Sequence, residues 1–466
     1  MQSQQRITIV DPADGSPVGE LEVAAPTAVD EAVQLARKAT SAWARTAPAE
    51  RGAYLGRAAD LLAEHAEELA GMTTREMGKP IDDARGGVQA GISTLRQYAE
   101  LGPLHRGRSL QGSWTSTDLM VFEPRGVVAA ITPWNDPVAV PCGIIGAALA
   151  VGNTVVFKPS ERSPHTGVLL AELLGEVLPP GVLDLVVGDG STGAALAGHD
   201  DVDLVAHVGS TATGRSIAAA AARTGAKVLL ENGGNDAMVV DDDVDPSWAA
   251  EQAALGAFAN AGQICTSVER IYVAERIADA FLDALVRRAD ELTMGPGTDP
   301  ATRLGPLVDD RLRTAVHGHV SGAVADGAKV LTGGEVPEGP GAFYPATVLS
   351  GCLPSMAVMQ EETFGPVAPV AVVPDFDAAL ELAAAGPYGL AAVVLTGRMA
   401  NAQRAWRELP VGTVKVNAAF GGAPGGAAQP RGASGAGFGY GPELLDEMST
   451  TKEVHLGTPV TGATQE

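Results

Sequence analysis

Cysteine is scarce in this chain, with three in 466 residues, at positions 142, 265 and 352. An odd number of thiols cannot pair completely, which excludes a disulfide scaffold and points to a reducing compartment, the cytoplasm. Basic residues are also few, 32 against 56 acidic ones, and a formal charge of −24 leaves no basic stripe for a nucleic-acid partner. Aromatic residues make up 4%, so the cores must be built from Ala, Val and Leu. A membrane span is not expected either. The longest uncharged run, Pro137 to Phe157, is broken by Pro141, Gly143, Gly146, Gly152 and Asn153 and reads as a core helix feeding a buried strand. The opening MQSQQRITIVDPADG turns polar at once and lacks the order of a secretion signal. No metal site is expected.

What is present is a hydrophobic content of 45% over a length too great for one compact core, so two or more domains are expected. Ile7 to Val10 and Pro17 to Val23 read as a hairpin around the Asp14-Gly15 turn. Thr27 is placed as the cap of a helix in which Val29, Ala32, Val33, Ala36 and Trp43 share one face. Arg51 to Met72 continues helical, and TTREMGKP, Thr73 to Pro80, is expected to end the helical region. Leu110 to Phe122 reads as a polar, strand-like arm.

From Arg125 to Val208 the rhythm becomes strand, helix, strand. GVVAAIT, NTVVFKPS, VLDLVVG and VDLVAHVGS are short Val-rich runs without strict alternation, as strands covered on both faces of a parallel sheet read. They predict a doubly wound nucleotide-binding sheet, with its ligand beyond the C-terminal strand ends. Those ends carry PWN with Asn135, KPSE with Lys158 and Glu161, GSTATG from Gly209 to Gly214, and ENGG with Glu231. A lysine and a glutamate three apart suit ribose hydroxyls, and a glycine-bounded turn entering a helix suits a pyrophosphate. Each is weak alone, because KPSE is also an ordinary solvated turn and GSTATG lacks the G-x-G-x-x-G pattern.

The stretch FANAGQICTSVER, Phe258 to Arg270, holds Cys265 among small and polar neighbours. That is what an exposed nucleophile needs, although one cysteine in an apolar region is more often packing. Beyond it, RIYV, KVLTGG, PVAPVAVV, LAAVVLT and GTVKVN read as the strands of a second α/β unit. Ile277 to Leu292 and Asp377 to Ala385 read as its helices. Cys142 and Cys352 are expected inside. Ala418 to Gly439 reads as a long Gly/Ala-rich loop lining a substrate mouth.

PWN, KPSE, GSTATG, ENGG, GQICTS and EETFGP, in this order and spacing, resemble the NAD(P)-dependent aldehyde dehydrogenase superfamily over nearly the whole chain. The resemblance implies a Rossmann-type cofactor domain over 1–109 and 123–230 and a second α/β catalytic domain over 231–417. It also implies an oligomerisation arm with a C-terminal strand, 110–122 and 440–466, giving a homodimer or homotetramer. Cys265 would be the nucleophile, Asn135 and the Cys265 N–H the oxyanion donors, and Glu231 the general base. Trp134, Lys158, Ser160, Glu161, Gly209, Ser210, Thr213, Glu362 and Phe364 would hold the cofactor. Glu161 favours NAD, with NADP possible.

Departures from the family pattern carry further expectations. Asp136 and Ala428 stand where relatives often have aromatics, and with Val140 they imply a wider, more polar tunnel. Such a tunnel suits a small polar or aromatic aldehyde and disfavours an anionic tail. Ile144 and, after SGAG, Phe438 and Gly439 replace a lysine and glutamate thought to relay protons. A coenzyme A-acylating enzyme and a catalytically silent relative are the alternatives.

Overall fold

In a computed structural model the chain is described over residues 5–422 and 426–459. The N-terminal hairpin pairs Arg6–Val10 with Pro17–Glu22, turning at Gly15, whose φ of 76° a side chain would strain. The helix Pro26–Arg45 buries Val29, Ala32, Val33, Ala36 and Trp43, as the spacing predicts. Its cap differs from the expectation: Ala25 precedes it, Pro26 supplies the preset φ of a first helical residue, and Thr27 lies inside the first turn. Nor does the helical region end at Pro80. Gly78, in the left-handed conformation, closes the helix Ala66–Met77, and Pro80 then starts another, Ile81–Leu101. Gly and Pro here mark a corner between helices.

Five parallel strands form the first sheet in the order Leu183–Leu185, Thr154–Lys158, Val127–Ile131, Leu204–Val208, Lys227–Glu231, with Gly435–Ala436 antiparallel on the outer edge. Alternate side chains serve two cores. Val128, Ala130, Val155, Phe157 and Leu204 pack with the helices Ile81–Leu101 and Ala139–Ala150, while Val127, Ala129, Val156 and Val205 pack against Pro26–Arg45 on the other face. Coverage on both faces is why these strands lack polar alternation. Strand succession reverses beside Val127–Ile131, so a crevice opens between its end and that of Leu204–Val208.

The second sheet runs Lys329–Thr332, Thr347–Ser350, Val367–Val373, Val268–Ala274, Asp236–Val240, Ala391–Leu395, Thr413–Val416, parallel except for the first strand. Its core contains buried Cys352, and the first core contains Cys142. A third sheet joins the arm to the C-terminal strand: Ser449–Leu456 pairs antiparallel with Thr117–Pro124, which pairs with Arg108–Leu110. The expected loop from Ala418 to Gly439 is partly tied down, since Arg431–Gly432 bridges to Tyr388–Gly389 and Gly435–Ala436 to Leu230 and Glu231. Its residues 423–425, like residues 460–466 of the C-terminal segment, lie outside the described residues.

Candidate active site

The crevice at the first sheet continues into a cleft of about 560 Å³ that also takes residues from the second. Cys265 lies in the turn between the helix Pro246–Phe258 and the strand Val268–Ala274. That turn is unusual. Asn260, Ala261 and Gly262 hold φ of 49°, 55° and 71°, three successive left-handed residues. Each non-glycine residue so placed costs about 1 kcal/mol, and a network offsets the strain. The Asn260 side chain donates to the Gln263 carbonyl, Gln263 Nε2 donates back to the Asn260 carbonyl at 3.0 Å, and the Val308 N–H donates to Gln263 Oε1 at 2.9 Å. The Gly262 position admits no side chain, because a Cβ would lie 2.1 Å from the Gly365 carbonyl oxygen.

Asn135 reaches the same turn from the first sheet, donating from Nδ2 to the Gln263 carbonyl at 3.0 Å. One Asn135 N–H remains uncommitted, and among the described residues no acceptor takes the N–H of Cys265. Lys79 holds Asn135 from behind, giving its buried ammonium to the Asn135 carbonyl at 3.0 Å and to Asp136 Oδ1 at 3.1 Å. Asp136 fits because Gly87 gives way; a Cβ there would meet Oδ1 at 2.7 Å. The MGKP segment thus supplies a contact to the site that its sequence did not announce.

Glu231 ends its strand inside the cleft, 7% exposed, and burial pushes its pKa up to about 8 against the pull of the Gly439 N–H. Gly439 leaves room for this placement: a Cβ there would stand 2.1 Å from Glu231 Oε1 and displace the side chain. Ile144 is buried in the first core. Of the two positions expected to lack the relay pair, Ile144 thus serves packing and Gly439 adjoins Glu231. Burial, then Glu231, Asp236, Glu362 and Asp136 in that order, push the Cys265 thiol up to about 12.

Toward the other end, Trp134, Lys158, Ser160, Glu161, Gly209, Ser210 and Thr213 line the cleft. Ser210 caps the helix Thr211–Thr224 by accepting the Thr213 N–H, and a Cβ at Gly214 would lie 2.0 Å from Asn232 Oδ1. Lys158 Nζ stands 3.8 Å from Glu161 Oε2. Glu362 accepts the Gly234 N–H at 2.9 Å, and its pKa is pushed up to about 7 by burial. The Phe364 ring meets Trp134 edge-on at 5.6 Å, and the Arg162 guanidinium lies over Trp134 at 5.4 Å. Asp136 and Val140 also line the cleft; half-buried Ala428 does not. Several lining residues escaped the sequence motifs, Arg162 and Tyr440 among them. Arg162 adjoins KPSE, and Tyr440 comes just after the bridge that brings Gly439 to Glu231. Only the neighbouring SGAG and KPSE runs could have signalled them.

A doubly wound sheet whose switch-point crevice runs on to a cysteine, an amide and a buried carboxyl defines a dinucleotide-linked oxidoreductase. The chain belongs to the aldehyde dehydrogenase family: the sequence profile described as "Aldehyde dehydrogenase family" matches residues 1–454. A betaine aldehyde dehydrogenase of Cereibacter sphaeroides is 36% identical over 97% of this chain and 94% of its own. Among solved structures, betaine aldehyde dehydrogenase from Staphylococcus aureus in complex with NAD+ superposes with a TM-score of 0.95 at 31% identity, covering 99% of this chain and 93% of that one. Lactaldehyde dehydrogenase from Escherichia coli gives 0.96 at 31% identity over 98% and 97%.

Proposed function

We propose that this protein oxidises a small polar or aromatic aldehyde to its carboxylic acid with NAD, through a thioester on Cys265. The observation that carries this reading is one cleft in which Cys265, Asn135 and Glu231 adjoin a helix N-terminus and the Lys158–Glu161 pair. Relatives named for betaine aldehyde and lactaldehyde, both short polar compounds, fit it, and so does the NAD+ complex of the Staphylococcus aureus enzyme.

The residues fit a dinucleotide. The N-terminal turn of Thr211–Thr224 suits phosphates, and Lys158 with Glu161 suits the adenosine ribose, where Glu161 would accept bonds from the hydroxyls while repelling a 2′-phosphate, favouring NAD over NADP. Glu362 and Phe364 would hold the nicotinamide end. When bound, the nicotinamide supplies the hydride acceptor.

The Cys265 thiol gives up its proton to solvent, directly or by way of Glu231, which releases it before the later step, and the sulfur adds to the aldehyde carbon. The oxygen, now negative, receives the free Asn135 N–H and the Cys265 N–H. The C–H bond then breaks with its electron pair leaving as hydride, the C=O re-forms, and a thioester remains. Glu231 takes a proton from water as the water oxygen adds to that carbon; the C–S bond breaks, freeing the acid and the thiolate. Transfer to coenzyme A is the competing acceptor, and Glu231 beside Cys265 favours water. Asp136 at the mouth disfavours an anionic tail.

In this reading 1–109 with 123–230 bind the cofactor and 231–417 carry the nucleophile. The sheet of 110–122 and the C-terminal strand joins subunits into a dimer or tetramer. The test is initial-rate reduction of NAD and NADP over short aliphatic, aromatic, amino and carboxylated aldehydes, wild type against Cys265→Ala. Turnover with NAD that vanishes in the variant is expected. Equal turnover in both proteins would remove Cys265 from the mechanism.

A further inference from the structure

Glu269, the second residue of the strand Val268–Ala274, is buried at 5% exposure. Its two carboxylate oxygens accept two consecutive backbone N–H groups, those of Thr363 and Phe364, each at 2.8 Å. Among the described residues no cation pairs with it. The adjacent Arg270 turns its guanidinium instead to the carbonyls of Asn235, Ala383 and Ala385. Burial and nearby Glu362 push the Glu269 pKa up, and the Phe364 and Thr363 N–H groups pull it back toward the ionised form that accepts from both. A buried carboxyl without a cation is a costly element of a strand whose other residues are buried too, and an apolar side chain would pack there without that cost. What it holds explains its presence.

The gripped loop, 361–366, carries the two groups that face the nicotinamide end. Phe364 sits at φ 53°, a conformation that needs support from outside the loop, and its ring rests on Trp134. Glu362 is fixed by the Gly234 N–H and pressed on Gly233, where a Cβ would lie 2.2 Å from Oε2. Thr363 is tied further by its hydroxyl, 2.9 Å from His319 Nδ1. Glu269 lies four residues past the proposed nucleophile, so one short segment presents Cys265 and anchors the loop across from it.

We propose that Glu269 is a positioning residue for hydride transfer: through two backbone N–H groups it fixes Phe364 and Glu362 at the nicotinamide end of the cleft. The inference rests on the aldehyde dehydrogenase reading above. Glu269→Gln preserves the shape but offers one oxygen and one NH₂ to two N–H donors, so one bond is lost and two donors are opposed.

The experiment measures, for wild type and Glu269→Gln, NAD-dependent aldehyde oxidation, the isotope effect on kcat with C1-deuterated aldehyde, and cofactor-free hydrolysis of a p-nitrophenyl ester. Ester hydrolysis needs Cys265 and Glu231 but no nicotinamide. The expected result is a fall in oxidation of about tenfold or more, a larger isotope effect, and ester hydrolysis within about twofold of wild type. A parallel fall in both activities, or an unchanged isotope effect, assigns Glu269 to stability alone and overturns the proposal. If Glu269→Gln does not fold, Glu269→Asp, which retracts the carboxylate by one methylene, is held to the same three readouts. Wild type and Cys265→Ala run alongside keep the two readings apart: a wild type without oxidation activity refutes the class of reaction, not the role of Glu269.

Discussion

The charges that act most strongly on Cys265 are the acidic Glu231, Asp236, Glu362 and Asp136, and the half-buried Lys415 does not offset them. With its pKa pushed up to about 12, the thiol is protonated at neutral pH until a positive charge arrives. In the proposed reading, a nicotinamide cation bound beside Glu362 and Phe364 would bring that charge. Alkylation of Cys265 by iodoacetamide at pH 7 is therefore expected to be slow in the free protein and several-fold faster with NAD. Peptide mapping of the modified cysteine checks this, and equal rates with and without NAD would contradict it.

Glu231 gives a second test with a defined sign. Its pKa is raised from 4.5 to about 8 on folding, so the folded protein binds this proton more tightly than the unfolded chain does. Its contribution is complete below pH 4.5 and is lost progressively as pH rises to about 8. Glu231→Gln stays neutral throughout. Its Tm relative to wild type is expected to climb between pH 5 and 8 and then level off, while aldehyde oxidation falls on the order of a hundredfold. A Tm difference that does not change with pH would show that Glu231 is already ionised. That Cys265, Asn135 and Glu231 belong together was legible because they stand in motifs, and the three line one cleft. Their states were not legible, since burial and neighbouring charge are properties of the assembled cleft.

At the scale of elements, three contacts join parts remote in sequence. Lys79, between two N-terminal helices, holds the Asn135 carbonyl and Asp136. Lys79→Met frees both and leaves Asp136 without its cation. The expected loss of stability is about 2 kcal/mol, less than for a fully buried pair because the Asp136 side chain is 38% exposed. Displacement of Asn135, the proposed oxyanion donor, is expected to lower kcat about tenfold with little change in KM for NAD. Lys79→Met/Asp136→Ala should recover the stability but not the rate, which calorimetry and kinetics separate. Gly439 is the second contact and Glu269 the third. Strands were legible here, because a Val-rich run ending in PWN or KPSE needs no partner to be read, whereas their order in the sheets was not predicted. The Pro80 corner and the Gly435–Ala436 bridge were not, because Gly and Pro mark a change of direction without specifying whether a helix, a strand or a loop comes next.

At the scale of the whole molecule, the sheet of Arg108–Leu110, Thr117–Pro124 and Ser449–Leu456 leaves its two outer strands mostly exposed, each with an edge unpaired among the described residues. Trp114 in the adjoining turn is fully exposed. A flat edge of this kind invites pairing with another copy. Against it stands the charge of −24 on every chain, which makes two copies repel at long range. Edge pairing acts within a few ångströms and is little affected by salt, whereas repulsion is screened within about 8 Å at physiological ionic strength. Association should therefore tighten as salt rises, the reverse of a contact built on ion pairs. Sedimentation velocity at 20 and 300 mM NaCl is expected to show the larger species favoured at the higher salt. Val454→Pro, which removes an N–H from the outer strand and breaks its run, should yield monomer at both. An oligomer untouched by Val454→Pro would mean that copies join through another surface, and the sheet would then serve only to tie the C-terminal strand to the arm.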